Sequence, residues 1–148
     1  AATAKNNAID ASNLTAEEKA ALKQKVTEAQ DSADQEIDKA TTDAAVTEAQ
    51  TNGVNAINGI EVTTSTAKEA AKKVVADAAT AKNNAIDASN LTAEEKAALK
   101  QKVTEAQKAA DQEIDKATTN AAVTEAQTNG VNAINGIEVT TSTVKEAA

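Results

Sequence analysis

The sequence predicts an all-α protein of two tandem three-helix bundles, stacked end to end into a rod and joined by a long shared helix. Three observations support this prediction. The 148 residues include 37 Ala and no Pro, and Ala has the highest intrinsic helix propensity of the natural residues. Helix-capping signals recur along the chain. The second half of the chain also repeats the first half almost without change.

The internal repeat sets the domain organisation. Residues 1–71 align with residues 78–148 at an offset of 77. Only four of the 71 aligned pairs differ: Asp31/Lys108, Ser32/Ala109, Asp43/Asn120 and Ala67/Val144. A 77-residue unit is too long for the common short solenoid repeats and suits a small three-helix domain. We expect a first repeat at 1–65, its first helix truncated at the N-terminus, and a second at 66–148, where 143–148 begin a further repeat.

The first helix of the repeat is complete only in the middle of the chain, where we predict a helix over 66–89 that connects the two repeats. Thr66 and Glu69 have the Thr-x-x-Glu spacing of a capping box. Apolar residues follow at steps of three and four, which is typical of one helix face. The predicted face is Ala71, Val74/Val75, Ala78, Ala81, Ala85 and Ala88.

The second helix is predicted from about Ala16 to Ala40, or from Ala93 in the second copy. Thr15 and Glu18 form a capping box before it, as Thr92 and Glu95 do in the second copy. Its apolar residues again follow helical spacing. They are Leu22, Val26, Ala29, Ala33, Ile37 and Ala40.

The third helix is predicted from about Asp43 to Asn58, with Thr42 as its cap and Asn58-Gly59 as its stop. Gly53 lies within its apolar stripe and costs roughly 1 kcal/mol of helix propensity relative to Ala, so we expect a close backbone approach there. The predicted core of the first bundle is Leu22, Val26, Ile37, Val46, Ile57 and Ile60. The equivalents in the second bundle are Leu99, Val103, Ile114, Val123, Ile134 and Ile137.

The composition excludes several classes of function. The chain contains no His, Cys, Met, Arg, Phe, Tyr or Trp, so it has no thiolate or imidazole for catalysis and no soft metal ligand. Its 23 acidic residues against 15 Lys give a net charge of −8, which disfavours nucleic acid binding. No apolar run approaches the ~18 to 20 residues of a membrane span. We predict no enzyme activity, no catalytic, cofactor-binding or metal site, and no membrane insertion.

Two motifs have both a functional and a structural interpretation. Asn13-Leu14-Thr15 and Asn90-Leu91-Thr92 match the N-glycosylation sequon, but a helix-ending Asn before a helix-capping Thr explains the same residues. The acidic triplets are Asp34, Glu36 and Asp38, and Asp111, Glu113 and Asp115. Residues two apart on a helix point to different faces, so we expect solvated side chains there and not a metal site.

Four segments, in this order, carry a resemblance to a known family. They are Ala81–Ile86 (AKNNAI), Thr92–Lys96 (TAEEK), Asp115–Asn120 (DKATTN) and Asn129–Ile134 (NGVNAI). Together they resemble the helical tandem repeat, a domain of unknown function, of giant cell-wall-anchored surface proteins in Gram-positive cocci, including those of the matrix-binding type. The resemblance implies a three-helix rod module between an adhesive head and the wall anchor, with no established catalytic residues.

We therefore expect a structural stalk repeat of a bacterial cell-surface adhesin, projecting a binding domain away from the cell wall. The alternative is a three-helix module that binds a host matrix or plasma protein such as fibronectin. Binding faces normally contain aromatic, Met or Arg anchors, and the sequence has none. The expected partners are neighbouring repeats of the same chain, the expected state is a monomer, and the expected location is extracellular, anchored to the wall through regions outside 1–148.

Overall fold

The computed structural model describes residues 1–146, which form seven helices and no β-strand. Helices account for 80% of these residues, so the predicted all-α class is confirmed. The helices are α1 (Ala2–Ala11), α2 (Ala16–Lys39), α3 (Asp43–Asn58), α4 (Thr66–Ala88), α5 (Ala93–Lys116), α6 (Asn120–Asn135) and α7 (Thr143–Glu146).

The chain divides into two compact units, Ala1–Ser65 and Thr66–Ala148. In the first unit, α1 packs against both α2 and α3, and α2 packs along α3. In the second unit, α4, α5 and α6 each pack against the other two. Each unit therefore contains three mutually packed helices, and α7 follows α6 within the second unit.

The helix starts follow the capping signals, with one correction. Thr15, Thr42, Thr92 and Thr119 each accept a hydrogen bond from a backbone N–H in the first turn of the helix that follows. The predicted cap at Thr66 is wrong by one residue, because Thr66 is already the first residue of α4. Ser65 precedes α4 and is buried. Its counterpart Ser142 accepts a hydrogen bond from the Lys145 N–H at the start of α7.

The buried face of α4 agrees with the predicted face at Ala71 and Val75 and differs from it elsewhere. Its apolar buried residues are Ala71, Val75, Ala79 and Ile86. The predicted Ala81, Ala85 and Ala88 are exposed and Ala78 is half-buried. Eleven residues are close to three helical turns, so Val75 and Ile86 lie on one face. These two large side chains orient α4 because they bury the most apolar area.

The predicted core is confirmed in part. Val103, Ile114, Val123 and Ile134 are buried in the second unit, and Val26 and Ile57 in the first. Leu99 and Ile137 pack at the edge of the core, as do Leu22 and Ile60. Ile37 is only half-buried.

The prediction that Val46 belongs to the core is wrong, because its side chain is 36% exposed. Among the described residues, no segment packs on this end of α2 and α3 in the way that the first half of α4 packs on α5 and α6. The prediction also omitted a set of buried aliphatic residues: Ile9, Leu14, Ile86 and Leu91.

The close helix approach predicted at Gly53 is confirmed. A Cβ built on Gly53 would lie 2.3 Å from the Ala33 Cβ, and one built on Gly130 would lie 2.4 Å from the Ala110 Cβ. Such separations are far below van der Waals contact, so these glycines allow α3 to approach α2 and α6 to approach α5. Neither glycine has a positive φ, so the requirement is for space alone.

Helix length and hydropathy bear on membrane crossing. Within residues 1–146, no helix combines the length and apolar character needed to span a bilayer.

We expect Gly130→Ala to destabilise the second unit by about 1 to 3 kcal/mol, because the new methyl group overlaps Ala110 and forces the helices apart. The gain in helix propensity, up to about 1 kcal/mol, offsets only part of this. Urea unfolding followed by circular dichroism measures the change.

The double variant Gly130→Ala/Ala110→Gly tests the cause, because it returns one methyl group to the contact and should recover most of the lost stability. Gly136→Ala is the matched control, since a Cβ built on Gly136 would meet only carbonyl oxygens of its own helix, those of Asn132 at 3.2 Å and Ala133 at 3.7 Å. Equal effects of G130A and G136A would contradict the packing explanation.

Candidate functional site

The most organised polar cluster lies at the start of α5 and is built around Glu95. The Thr92 N–H donates to Glu95 Oε2 at 2.9 Å, and the Glu95 N–H donates to Thr92 Oγ1 at 3.3 Å. These reciprocal bonds are the predicted capping box, which is therefore confirmed. They satisfy two backbone donors that the first turn of the helix cannot satisfy by itself.

The Glu95 carboxylate also binds the segment that follows α6. The N–H and the hydroxyl of Thr143 each donate to Glu95 Oε1 at 3.1 Å. Nearby, the Lys145 ammonium donates to the Asn90 carbonyl. One carboxylate therefore caps α5 with one oxygen and holds the first residue of α7 with the other.

The first unit contains the equivalent arrangement around Glu18. Glu18 Oε2 accepts from the Thr15 N–H at 2.9 Å and from the Ser65 hydroxyl at 2.7 Å. Ser65 is 1% exposed and Thr15 is fully buried. In both units, a glutamate of the second helix thus fixes the connector that leaves the third helix.

Hydrogen bonds give Glu95 an unusually acidic side chain. The backbone hydrogen bond from Thr92 is the largest cause, and bonds from Ser142 and Thr143 act in the same direction, so the pKa falls from 4.5 to about 2. Desolvation opposes this change. Because the donors bind the ionised form, the carboxylate is charged throughout the neutral and mildly acidic range.

The sequence predicted only half of this site. The Thr-x-x-Glu spacing identifies the capping box, but Ser65 lies 47 residues beyond Glu18, and no local pattern joins the two. One signal in the sequence pointed to the missing half of the site. A run of Thr-Thr-Ser-Thr stands at the start of α4 and again at the start of α7, and hydroxyl residues at a helix start commonly form cap hydrogen bonds.

At the sequon, the structure supports the capping interpretation. Asn13 is exposed, while Leu14 is 5% exposed and Thr15 is fully buried. The Thr15 hydroxyl accepts a hydrogen bond from the Glu18 N–H. The hydroxyl residue of the motif is therefore engaged in the helix cap.

The three acidic side chains of the α5 triplet lie in different surroundings. Asp115 pairs with Lys72 of α4 at 2.7 Å, and Glu113 pairs with Lys116 of its own helix at 2.8 Å. Asp111 is half-buried with no hydrogen-bond partner at Oδ1, and burial raises the pKa of its carboxyl group, against the opposing effect of Lys72. Across residues 1–146, no group of three or more acidic side chains is placed to hold a metal ion.

Each unit also has a shallow furrow lined mainly by alanine. The furrow between α2 and α3 measures about 580 Å³, and that between α5 and α6 about 480 Å³. Glu113, Lys116 and Glu125 lie along the second furrow with the alanines. Because alanine side chains are short, two closely packed helices leave such a depression between them.

Comparisons with known proteins give one match. The family described as "Domain of Unknown Function (DUF1542)" matches residues 1–65 and again residues 67–142. No curated protein and no solved structure matches the chain.

We expect Thr92→Ala to lower the free energy of unfolding by about 1 kcal/mol, the usual cost of losing a hydroxyl N-cap. Thr104→Ala is the matched control: its exposed hydroxyl donates only to the Lys100 carbonyl of the same helix, so we expect a change within about 0.5 kcal/mol. Chemical denaturation of both variants measures the difference, and equal losses would show that the cap has no special role.

The lowered pKa of Glu95 predicts acid sensitivity. Hydrogen bonds in the folded state stabilise the charged form of the Glu95 carboxylate. The stability that this carboxylate contributes is therefore complete above its unfolded pKa of 4.5 and is lost as the pH falls through about 2. We expect the free energy of unfolding to fall across this window, and to fall less steeply in Glu95→Gln. Unfolding measured at matched ionic strength tests this, and identical pH slopes for the two proteins would refute it.

Proposed function

The chain belongs to the DUF1542 family of domains of unknown function, and from this membership we propose that it is a structural spacer. In this proposal the two repeats form part of the stalk of a bacterial cell-surface adhesin. The stalk projects a binding domain away from the cell wall, and the anchor to the wall lies in regions outside residues 1–148. The function is mechanical and requires no chemistry at a site.

One observation supports the spacer role above the others: three of the four differences between the two copies of the repeat lie at positions exposed in both copies. Asp31, Ser32 and Asp43 are exposed, as are their counterparts Lys108, Ala109 and Asn120. At the fourth position, Ala67 is half-buried and Val144 is exposed. A repeat whose value lies in its folded shape has to keep its interior, and the surface can vary.

The exposed side chains also favour a spacer over a binding module. Among the described residues, the exposed large hydrophobic side chains are Val46, Val54, Val74 and Val144. Protein-binding surfaces depend on a few aromatic or arginine anchors for most of their affinity, and this sequence has neither type. An isolated valine contributes little as an anchor.

The proposed extended arrangement follows from the number of helices per repeat. In a bundle of three consecutive antiparallel helices, the chain enters at one end and leaves at the other. Successive repeats then add length, roughly 35 to 55 Å each for a helix of about 25 residues and its connections at ~1.5 Å per residue. We propose that α4 serves as the helix that links one repeat to the next.

Small-angle scattering of a longer array tests the rod. Because the sequence repeats at 77 residues, two further copies of residues 66–142 can be inserted to give a four-repeat chain. For a rod, doubling the number of repeats should nearly double the radius of gyration, whereas compact packing raises it only about 1.3-fold. The smaller increase would overturn the extended arrangement.

Binding assays on the same array test the spacer role separately. The immobilised four-repeat chain is exposed to purified fibronectin, albumin and immunoglobulin, with an unrelated helical protein as the control surface. We expect no retention above the control. Saturable binding of one of these proteins at micromolar affinity would contradict the spacer proposal and support a host-protein-binding module.

A further inference from the structure

Every glycine of the chain directly follows an asparagine. The backbone nitrogen of a glycine in such a pair can attack the asparagine side chain, because glycine has no Cβ to hinder the approach. Asparagine is accordingly among the thermolabile residues of proteins. The sequence alone makes all four pairs candidates for this reaction. They are Asn52-Gly53, Asn58-Gly59, Asn129-Gly130 and Asn135-Gly136.

The reaction is deamidation, and water is its only co-reactant. The glycine nitrogen loses its proton to solvent base and forms a bond to the asparagine Cγ, while the bond from Cγ to the amide nitrogen breaks and ammonia leaves. Water then opens the resulting succinimide ring at one of its two carbonyl carbons. The product is either Asp, with the original backbone, or isoaspartate, whose backbone runs through the side-chain carbon.

Two of the pairs lie inside a helix, where the backbone conformation prevents the attack. Asn52-Gly53 lies within α3 and Asn129-Gly130 within α6. The N–H of a helical residue points along the axis to the carbonyl four residues earlier, away from the side chain of the preceding residue. Both glycines are also buried, each against an alanine of the neighbouring helix. Attack at these pairs therefore requires the helix and its packing to open together.

The other two pairs lie at helix ends. Asn58 is the last residue of α3 and Gly59 is its C-cap, and Asn135 and Gly136 have the same places in α6. All four residues are exposed. The N–H of each cap glycine donates to the carbonyl four residues earlier, at 2.9 Å in both units. Because helix ends fray while packed interiors open only at high free energy, these hydrogen bonds break far more often than those inside the helix.

We propose that Asn58 and Asn135 are sites of spontaneous deamidation in the folded protein, and that Asn52 and Asn129 are protected until their helices unfold. Opening of the last turn frees the cap glycine nitrogen to reach the asparagine Cγ. The close contact between the second and third helices stays in place during this motion. The proposal does not depend on the spacer function.

A lysine of the first helix holds each of these helix ends. The Lys82 ammonium donates to the Asn135 carbonyl at 3.0 Å and to the Ile137 carbonyl at 2.7 Å. Lys5 makes the same two bonds in the first unit, at 3.0 and 2.6 Å. Isoaspartate adds one carbon to the backbone between the two carbonyls, so it changes the spacing that the ammonium bridges. Either product also places a negative charge at the C-terminal end of the helix, where the helix dipole disfavours it.

The test measures all four rates in one folded sample. The chain is incubated at mildly alkaline pH, and aliquots are cleaved after lysine and sequenced by tandem mass spectrometry. Residues 40–68 and 117–145 each form one peptide, and their sequence differences distinguish the two copies. Fragment ions locate each change from amide to carboxyl, and electron-transfer fragmentation distinguishes isoaspartate from Asp. An aliquot digested before incubation corrects for deamidation during cleavage.

The same chain unfolded in urea is the matched control, because the rates there depend on sequence alone. Each folded rate is divided by the unfolded rate of the same asparagine. We expect the resulting ratios for Asn58 and Asn135 to exceed those for Asn52 and Asn129 at least about tenfold, which corresponds to about 1.4 kcal/mol in the free energy of opening.

Lys82→Met tests whether opening of the helix end limits the reaction, because Met has a similar length and cannot donate. We expect the rate at Asn135 to rise about twofold to tenfold, as the net loss of one hydrogen bond implies. Asn58 in the same molecule should keep its rate, since Lys5 is unchanged. A matching rise at Asn129 would attribute the change to opening of the whole unit and contradict the local mechanism.

The ratios themselves decide the proposal. Equal ratios at the four asparagines, whether all of them react in the folded chain or none does, would overturn it. Faster relative reaction at Asn52 and Asn129 than at the helix ends would overturn it as well.

Discussion

The close approach of the second and third helices is the constraint on which the rest of each unit depends. The chain contains only 23 Ile, Leu and Val residues, so its helices can exclude water from a thin core only if their backbones come near one another. Gly53 against Ala33, and Gly130 against Ala110, provide this proximity. Once the backbones are close, a few fully buried side chains such as Ile114 and Ile134 suffice to fill the space between three helices.

Hydrogen bonds at the helix starts complement the thin core. Glu18 and Glu95 each combine a capping box with contacts to the connector beyond the third helix. These contacts hold the connector against the start of the second helix, and they join residues nearly fifty positions apart. The lowered pKa of Glu95 reflects the number of donors that converge on it. The ordered polar chemistry of the repeat thus serves its own architecture, in keeping with the proposed spacer role.

Much of the fold could be predicted because its signals are local. Capping at Thr15 and Thr92, the bounds of α3 and the close approach at Gly53 each depend on residues within a few turns of one another. The buried face of α4 was predicted less well, because alanines occur on every side of that helix and their spacing alone fits several faces. Val75 and Ile86 decide the face through the area they bury, and only packing against two other helices reveals that choice.

The sequence by itself determined the helical class, the repeat, the helix boundaries and the capping boxes, since these follow from propensity, side-chain hydrogen bonding and periodicity along one segment. Tertiary structure decided which residues are buried. Residues 33–66 around Val46 and residues 110–143 around Val123 differ only at Asp43/Asn120, yet Val46 is 36% exposed and Val123 3%. The difference arises because burial depends on what packs against a residue in space, and the first half of α4 covers only one of the two.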